Sequence, residues 1–131
     1  MSCIGHEAII SFFNTCISED RLSHAYAFFG PRHVGKRTIA DHIARTILHI
    51  PGTHTLVHPD LIVVEREVDE KTGTLKKDIS VTQIRDLIHR LSQSAFTKDG
   101  YAVAIIDGAE HLNVAGANAL LKTLEEPHAR T

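Results

Sequence analysis

Cysteine is scarce in this chain. Of 131 residues only Cys3 and Cys16 carry thiols, and two thiols make no disulfide framework, which fits a reducing compartment. A strong excess of one charge is also missing. Lys and Arg number 14 against 16 Asp and Glu, for a formal net charge of −2 at pH 7. That excludes a whole-domain field for nucleic acid, so any contact with DNA must be local or shared with partners. Long hydrophobic runs are absent too. His6 and Glu7 interrupt the N-terminal segment early, and no stretch reaches the roughly 18 apolar residues a membrane helix needs. There is no internal repeat, low-complexity run or linker. These absences give a cytoplasmic reading with no membrane contact.

What is present is ordinary for a soluble globular domain: 43% hydrophobic and 23% charged residues. The length suits one domain that buries about two-thirds of the surface its unfolded chain exposes. Ile9, Ile10, Phe13, Cys16 and Ile17 recur at helical spacing and predict a first amphipathic helix. The apolar, aromatic run "AYAFF" at residues 25–29 reads as a buried strand entering Gly30 and Pro31. After Lys36, the positions of Ile39, Ile43, Ala44, Ile47 and Ile50 predict a helix that stops before Pro51. "DLIVVERE" reads as a second strand, "DEKTG" as a hairpin turn and "TLKKDIS" as a returning strand. Ser80 and Gln83 make a capping box for a helix with Ile84, Leu87, Ile88 and Leu91 on one face. "TKDG" turns into "YAVAIID", a third strand ending at Asp107. Asn113 is placed to cap a last helix whose Ala117, Leu120, Leu121 and Leu124 face a core. The alternation of strands and helices is that of a parallel α/β sheet with right-handed crossovers.

The segment "GPRHVGKRT", residues 30–38, carries the chemistry. Gly30, Gly35 and Lys36 have the spacing of a phosphate-binding loop. Glycines let backbone N–H groups approach phosphates, the following helix adds positive potential at its N-terminus, and a lysine supplies a point charge. The segment follows an expected strand and opens an expected helix, which is the context the motif requires. The bland alternative is a glycine turn between strand and helix. One position departs from the motif: where a serine or threonine hydroxyl should grip Mg²⁺ stands Arg37, a donor only. Thr38 has a hydroxyl but is one residue out of register, about 100° around a helix. Asp107 at the end of its strand fits the carboxylate that organises Mg²⁺ in P-loop proteins, or else merely ends a strand. Gly108 stands where an acid that polarises water would follow, and Glu110 lies two residues further on.

"GHEAII", "RLSHAYAFFGP", "VGKRT", "HPDL", "SVTQIRDL" and above all "NALLKTLEEP" resemble the N-terminal AAA+ module of bacterial DNA polymerase III clamp-loader subunits. The resemblance extends over nearly the whole chain. Gamma/tau subunits usually carry a serine or threonine after the loop lysine and a glutamate after the strand aspartate. With Arg37 and Gly108 there, and with "HPDL" and "GKRT", the chain is more similar to the delta-prime type. The resemblance implies a three-layer α/β/α P-loop fold with a mostly parallel sheet, as a single partial N-terminal domain over residues 1–131 without the lid and collar domains. It implies a subunit of the machine that loads the sliding clamp onto primer–template DNA, with gamma/tau and delta subunits as partners. The expected role is that of a stator with a degenerate nucleotide site, itself weak or inactive as an ATPase within the polymerase holoenzyme.

Carried over, Gly30, Gly35 and Lys36 are the phosphate cradle, Arg37 and Thr38 open the helix beside it, and Ile4 and His6 match the segment near the adenine. Asp107 is the remnant of the Mg²⁺ site. ATP with Mg²⁺ is therefore expected to bind weakly, and restoring Arg37→Thr with Gly108→Glu is expected to improve the site only where the rest of the domain is present to complete the pocket. Family members often carry four cysteines that bind zinc before "HPDL". This chain has "HIPGTHTLVHPDL" there, with His49, His54 and His58 but no thiol, so no zinc is expected. Two other function classes stay open: an active P-loop ATPase of the gamma/tau kind, and a scaffold that has lost nucleotide altogether.

Overall fold

The computed structural model describes residues 5–93, 100–127 and 130–131, so Cys3, Ile4 and most of the expected turn at residues 97–100 lie outside the described residues. The chain forms two compact units, Met1–Pro59 and Asp60–Thr131.

In the first unit, helix α1 spans Glu7–Ser18 and helix α2 spans Lys36–Leu48. The apolar spacing seen in the sequence decides which faces pack. Phe13 and Cys16 of α1 are buried, as are Ile39, Ile43, Ala44 and Leu48 of α2. Phe13, Ile39 and Ile43 form the centre of this unit's core, flanked by Leu22 and Ile47. Helix α2 ends in a Schellman-type turn. His49 adopts a left-handed conformation (φ 56°), and the Ile50 and His49 amides donate back to the Arg45 and Thr46 carbonyls.

The strand expected at residues 25–29 does not form: among the described residues this segment joins no ladder. It does alternate as a strand would. Tyr26 and Phe28 meet the Phe13 ring edge-on, with centroids 4.7 and 6.0 Å away, while Phe29 points outward at 92% exposure. Alternation supplies a face, but a strand also needs a neighbour for its backbone N–H and C=O groups. Without one the segment remains extended chain.

The second unit is built on a parallel pair, β1 (Leu61–Val64) and β2 (Val103–Ile106), with Leu61 opposite Val103 and Val64 opposite Ile106. Helix α3 (Val81–Leu91) lies between them in sequence, and a short 3₁₀ turn (Ala109–His111) and helix α4 (Val114–Glu125) follow. Parallel strands cannot be joined by a tight turn, so a crossover such as the one containing α3 is obligatory. The core gathers Ile62 and Val64 of β1, Ile79, and Ile84, Leu87 and Leu91 of α3, with Ile106, Ala119 and Leu120 packed against them. Burying each such large aliphatic side chain is worth about 1.5–3 kcal/mol.

Local chemistry sets the helix starts. The Ser80 side chain accepts from the Gln83 amide at 3.1 Å, and the Gln83 side chain accepts from the Ser80 amide at 2.9 Å. Gln83 also reaches the residue just after β1, donating to the Glu65 carbonyl at 2.8 Å. Asn113 caps α4 by accepting from the Gly116 amide at 2.7 Å. The hairpin turn at Asp69–Gly73 is present, closed by bonds between Asp69 and both Thr74 and Gly73. Its returning strand shrinks to one antiparallel bridge, Val68 to Leu75. On α4 the packed face differs from the expected one. Gly116, Ala119 and Leu120 turn inward, whereas Leu121 is half exposed. Gly116 packs on this face: a Cβ there would sit 3.2 Å from Asn113 Oδ1 and at ordinary contact distance, 3.6 Å, from side-chain atoms of both Ile84 and Leu112.

Candidate nucleotide site

Residues 30–38 lie in the first unit as a loop that delivers the chain into α2. Two left-handed residues shape it, His33 (φ 63°) and Gly35 (φ 95°, ψ 20°). At Gly35 a Cβ would meet nothing within 4 Å, so the glycine answers to its backbone conformation rather than to crowding. Gly30 is a different case, because a Cβ there would lie 3.3 Å from the Val34 side chain.

Gly35 is also the N-cap of α2, and no side chain caps that helix. The first-turn amides of a helix have no intrahelical acceptor. Ser80 and Asn113 satisfy such amides in α3 and α4. Helix α2 has neither a side-chain cap nor an acid in its first turn, an arrangement suited to an anion.

The lysine is already aimed at the loop. Lys36 Nζ donates to the Gly30 carbonyl at 2.5 Å and to the Pro31 carbonyl at 3.2 Å. A phosphate placed over the loop would exchange these carbonyls for charged oxygens, the stronger partners for an ammonium. His6 joins the same neighbourhood from the start of α1: its Nε2 lies 2.9 Å from the Val34 carbonyl. The structure therefore brings Gly30, Gly35, Lys36 and His6 together, while Ile4 lies outside the described residues.

Arg37 faces elsewhere. Its Nε donates to Asp41 Oδ1 at 2.7 Å, one turn along α2, in a partly buried ion pair. Thr38 is half-buried on the first turn. The residues present do not fit Mg²⁺ in the manner of an ATP-hydrolysing P-loop, since the position after Lys36 offers a guanidinium with donors only, already engaged with a carboxylate.

Asp107 belongs to the second unit, where its amide donates to the Val64 carbonyl at 2.8 Å and extends the parallel ladder one residue past β2. The next residue is constrained. Gly108 is left-handed (φ 83°, ψ 48°), and a Cβ there would come within 3.0 Å of His111 Cδ2. The backbone turn thus opposes a carboxylate at 108 on its own terms. His111, to which sequence reasoning assigns no role, supplies this obstacle. Asp41 was missed as well, although its i,i+4 spacing from Arg37 is a legible pairing signal. On the connector after α2, the His54 carbonyl accepts from Arg45 Nη1 at 2.7 Å. Among the described residues no group of three or more His, Cys, Asp or Glu is arranged to hold a metal ion.

A parallel α/β pair with an aspartate after β2, and a glycine-lysine loop opening α2, place the chain in the P-loop α/β class. Comparison with known proteins narrows this. The family model described as DNA polymerase III, delta subunit, matches residues 5–131, and the chain belongs to that family. DNA polymerase III subunit delta' of Pseudomonas aeruginosa is 37% identical over 123 residues, covering 83% of this chain and 35% of the relative. The same subunit of Haemophilus influenzae is 42% identical over 83 residues, covering 63% and 22%. DNA polymerase III subunit tau of Bacillus subtilis is 32% identical over 140 residues, covering 95% and 23%. The chain thus spans between 22% and 35% of the length of these relatives.

Proposed function

We propose that this chain serves in a bacterial replicative clamp loader as a delta-prime-type subunit, a cytoplasmic stator that contacts gamma/tau and delta subunits rather than a motor. In that role it helps the assembled complex place the sliding clamp on primer–template DNA. Its own phosphate loop holds nucleotide weakly and does not turn it over.

The observation that carries this reading is the Arg37–Asp41 pair at 2.7 Å, in the register where a motor subunit needs a metal-gripping hydroxyl. Gly108 supports it, since a left-handed backbone and a His111 ring 3.0 Å from the place of a Cβ both disfavour the acid that would polarise water. Higher identity to the two delta-prime relatives than to the tau relative points the same way.

Reconstitution tests it. The chain, in its full-length subunit, is combined with gamma/tau, delta, clamp and primed DNA, and both clamp loading and ATP turnover are followed. Loading should require the subunit, while Lys36→Ala within it should leave the turnover of the complex unchanged. A loss of turnover with Lys36→Ala, or steady hydrolysis by the chain alone that Lys36→Ala abolishes, would show a motor instead.

A further inference from the structure

We propose that Arg45 is the clasp of a strap. Residues 51–57 stay folded back on the end of α2 because its guanidinium holds two of their carbonyls, and they open as a unit, apart from the helix, when it lets go.

Burial does little for this segment. Of residues 51–57 only Leu56 is partly covered, and Val57 is 77% exposed. Neither helix nor strand runs through it. Its backbone closes two short turns, from the His54 amide to the Pro51 carbonyl at 3.0 Å and from the Val57 amide to the Thr55 carbonyl at 2.8 Å. A segment with so few apolar contacts belongs to the low end of local stability, where opening does not require the rest of the protein to unfold. What keeps it against the helix is hydrogen bonding.

Arg45 supplies that link. It stands in the last turn of α2, and its Nη1 donates to the His54 carbonyl at 2.7 Å and to the Pro51 carbonyl at 3.2 Å. The two acceptors are the ends of one turn, since the Pro51 carbonyl also accepts from the His54 amide. A guanidinium is a rigid, permanently charged donor, so one side chain ties both ends of the turn to the helix through charge-assisted bonds. The helix end is closed separately, by backbone bonds. The Ile50 amide donates to the Arg45 carbonyl at 2.9 Å and the His49 amide to the Thr46 carbonyl at 3.4 Å. Neither bond uses the Arg45 side chain, so the clasp can open while the helix end stays shut.

Amide hydrogen exchange on the whole chain tests this, with circular dichroism to show that each variant is folded. Arg45→Met keeps a long side chain of similar helix propensity but removes the donors. In that variant the His54 amide should exchange about tenfold faster than in wild type, the scale of a lost charge-assisted hydrogen bond. The Ile50 amide should keep its wild-type rate. Arg45→Lys keeps the charge at the helix end and loses only the fork, so its His54 rate should fall between the other two. Thermolysin, which cuts ahead of large apolar residues, should cleave Arg45→Met at Leu56 or Val57 about tenfold faster than wild type, because cleavage follows the open population. An unchanged His54 rate in Arg45→Met overturns the proposal. So does equal acceleration at Ile50 and His54, which would make Arg45 a support of the helix end rather than a clasp.

Discussion

Replacing Gly108 with glutamate would add the carboxylate that hydrolysing P-loop proteins place after the strand aspartate. The sequence alone suggests that this change, together with Arg37→Thr, improves the site; the structure predicts damage first. Gly108 sits at φ 83° and ψ 48°, and a residue with a Cβ in the left-handed region loses about 1–2 kcal/mol. The added Cβ would also lie 3.0 Å from His111 Cδ2, so the imidazole must move. The His111 backbone is fixed, since its carbonyl accepts from the Ile79 amide at 2.9 Å and Ile79 is fully buried, so the ring must yield by turning about its own side-chain bonds. Overpacking of this kind adds about 1–2 kcal/mol. The sum is about 2–4 kcal/mol out of a typical 5–15 kcal/mol for a domain. With a slope of about 2 kcal/mol per molar urea, the unfolding midpoint should fall by about 1–2 M.

Gly108→Ala separates the contributions, since it adds the Cβ without the carboxylate and should account for most of the loss. His111→Ala in the same chain should recover the ring contribution and leave only the backbone one. Urea unfolding of wild type, Gly108→Ala, His111→Ala, Gly108→Glu and Gly108→Ala with His111→Ala is the assay. A Gly108→Ala midpoint at or above wild type, or additive single and double variants, would refute the reasoning about this turn.

Ser80→Ala removes one half of the capping box on α3 and should destabilise by about 1 kcal/mol in the same unfolding assay; no loss would mean that the cap is dispensable. Ile84→Ala opens a cavity at a fully buried position and should lose about 2–5 kcal/mol, while Leu121→Ala, half exposed on α4, should lose much less. Equal losses at the two positions would contradict the observed orientation of α4. Phe29→Ser should change stability by less than about 0.5 kcal/mol because the ring is 92% exposed, and a larger loss would show that this ring is covered in solution. Elemental analysis should find no stoichiometric zinc; one equivalent that disappears when His54 and His58 are both replaced by alanine would reverse that expectation.

Several features were legible in the sequence because their interactions are local. The capping box of Ser80 with Gln83 and the Asn113 cap close within three residues, and helical hydrogen bonds run within four. The buried faces of α1, α2 and α3 follow from the 3.6-residue period, and the glycine-bearing turn that opens α2 at Lys36 followed from the same stretch of sequence.

Tertiary structure decided the rest. Residues 25–29 have the composition and alternation of a strand, yet strand formation depends on a partner that no local pattern supplies, and among the described residues the one ladder is that of β1 with β2. The inward face of α4 was set by packing: Gly116 lies against Ile84 and Leu112, and Leu121 is half exposed. At the candidate site, residue identity marked Arg37 and Gly108 as departures from a hydrolytic P-loop. The Arg37–Asp41 pairing is local and was open to a reading of i,i+4 spacing, whereas the left-handed turn that sets the His111 ring beside position 108 was seen in the structure. Composition and period govern what the backbone can do with its near neighbours, whereas side-chain direction and strand pairing are settled by residues that folding brings close.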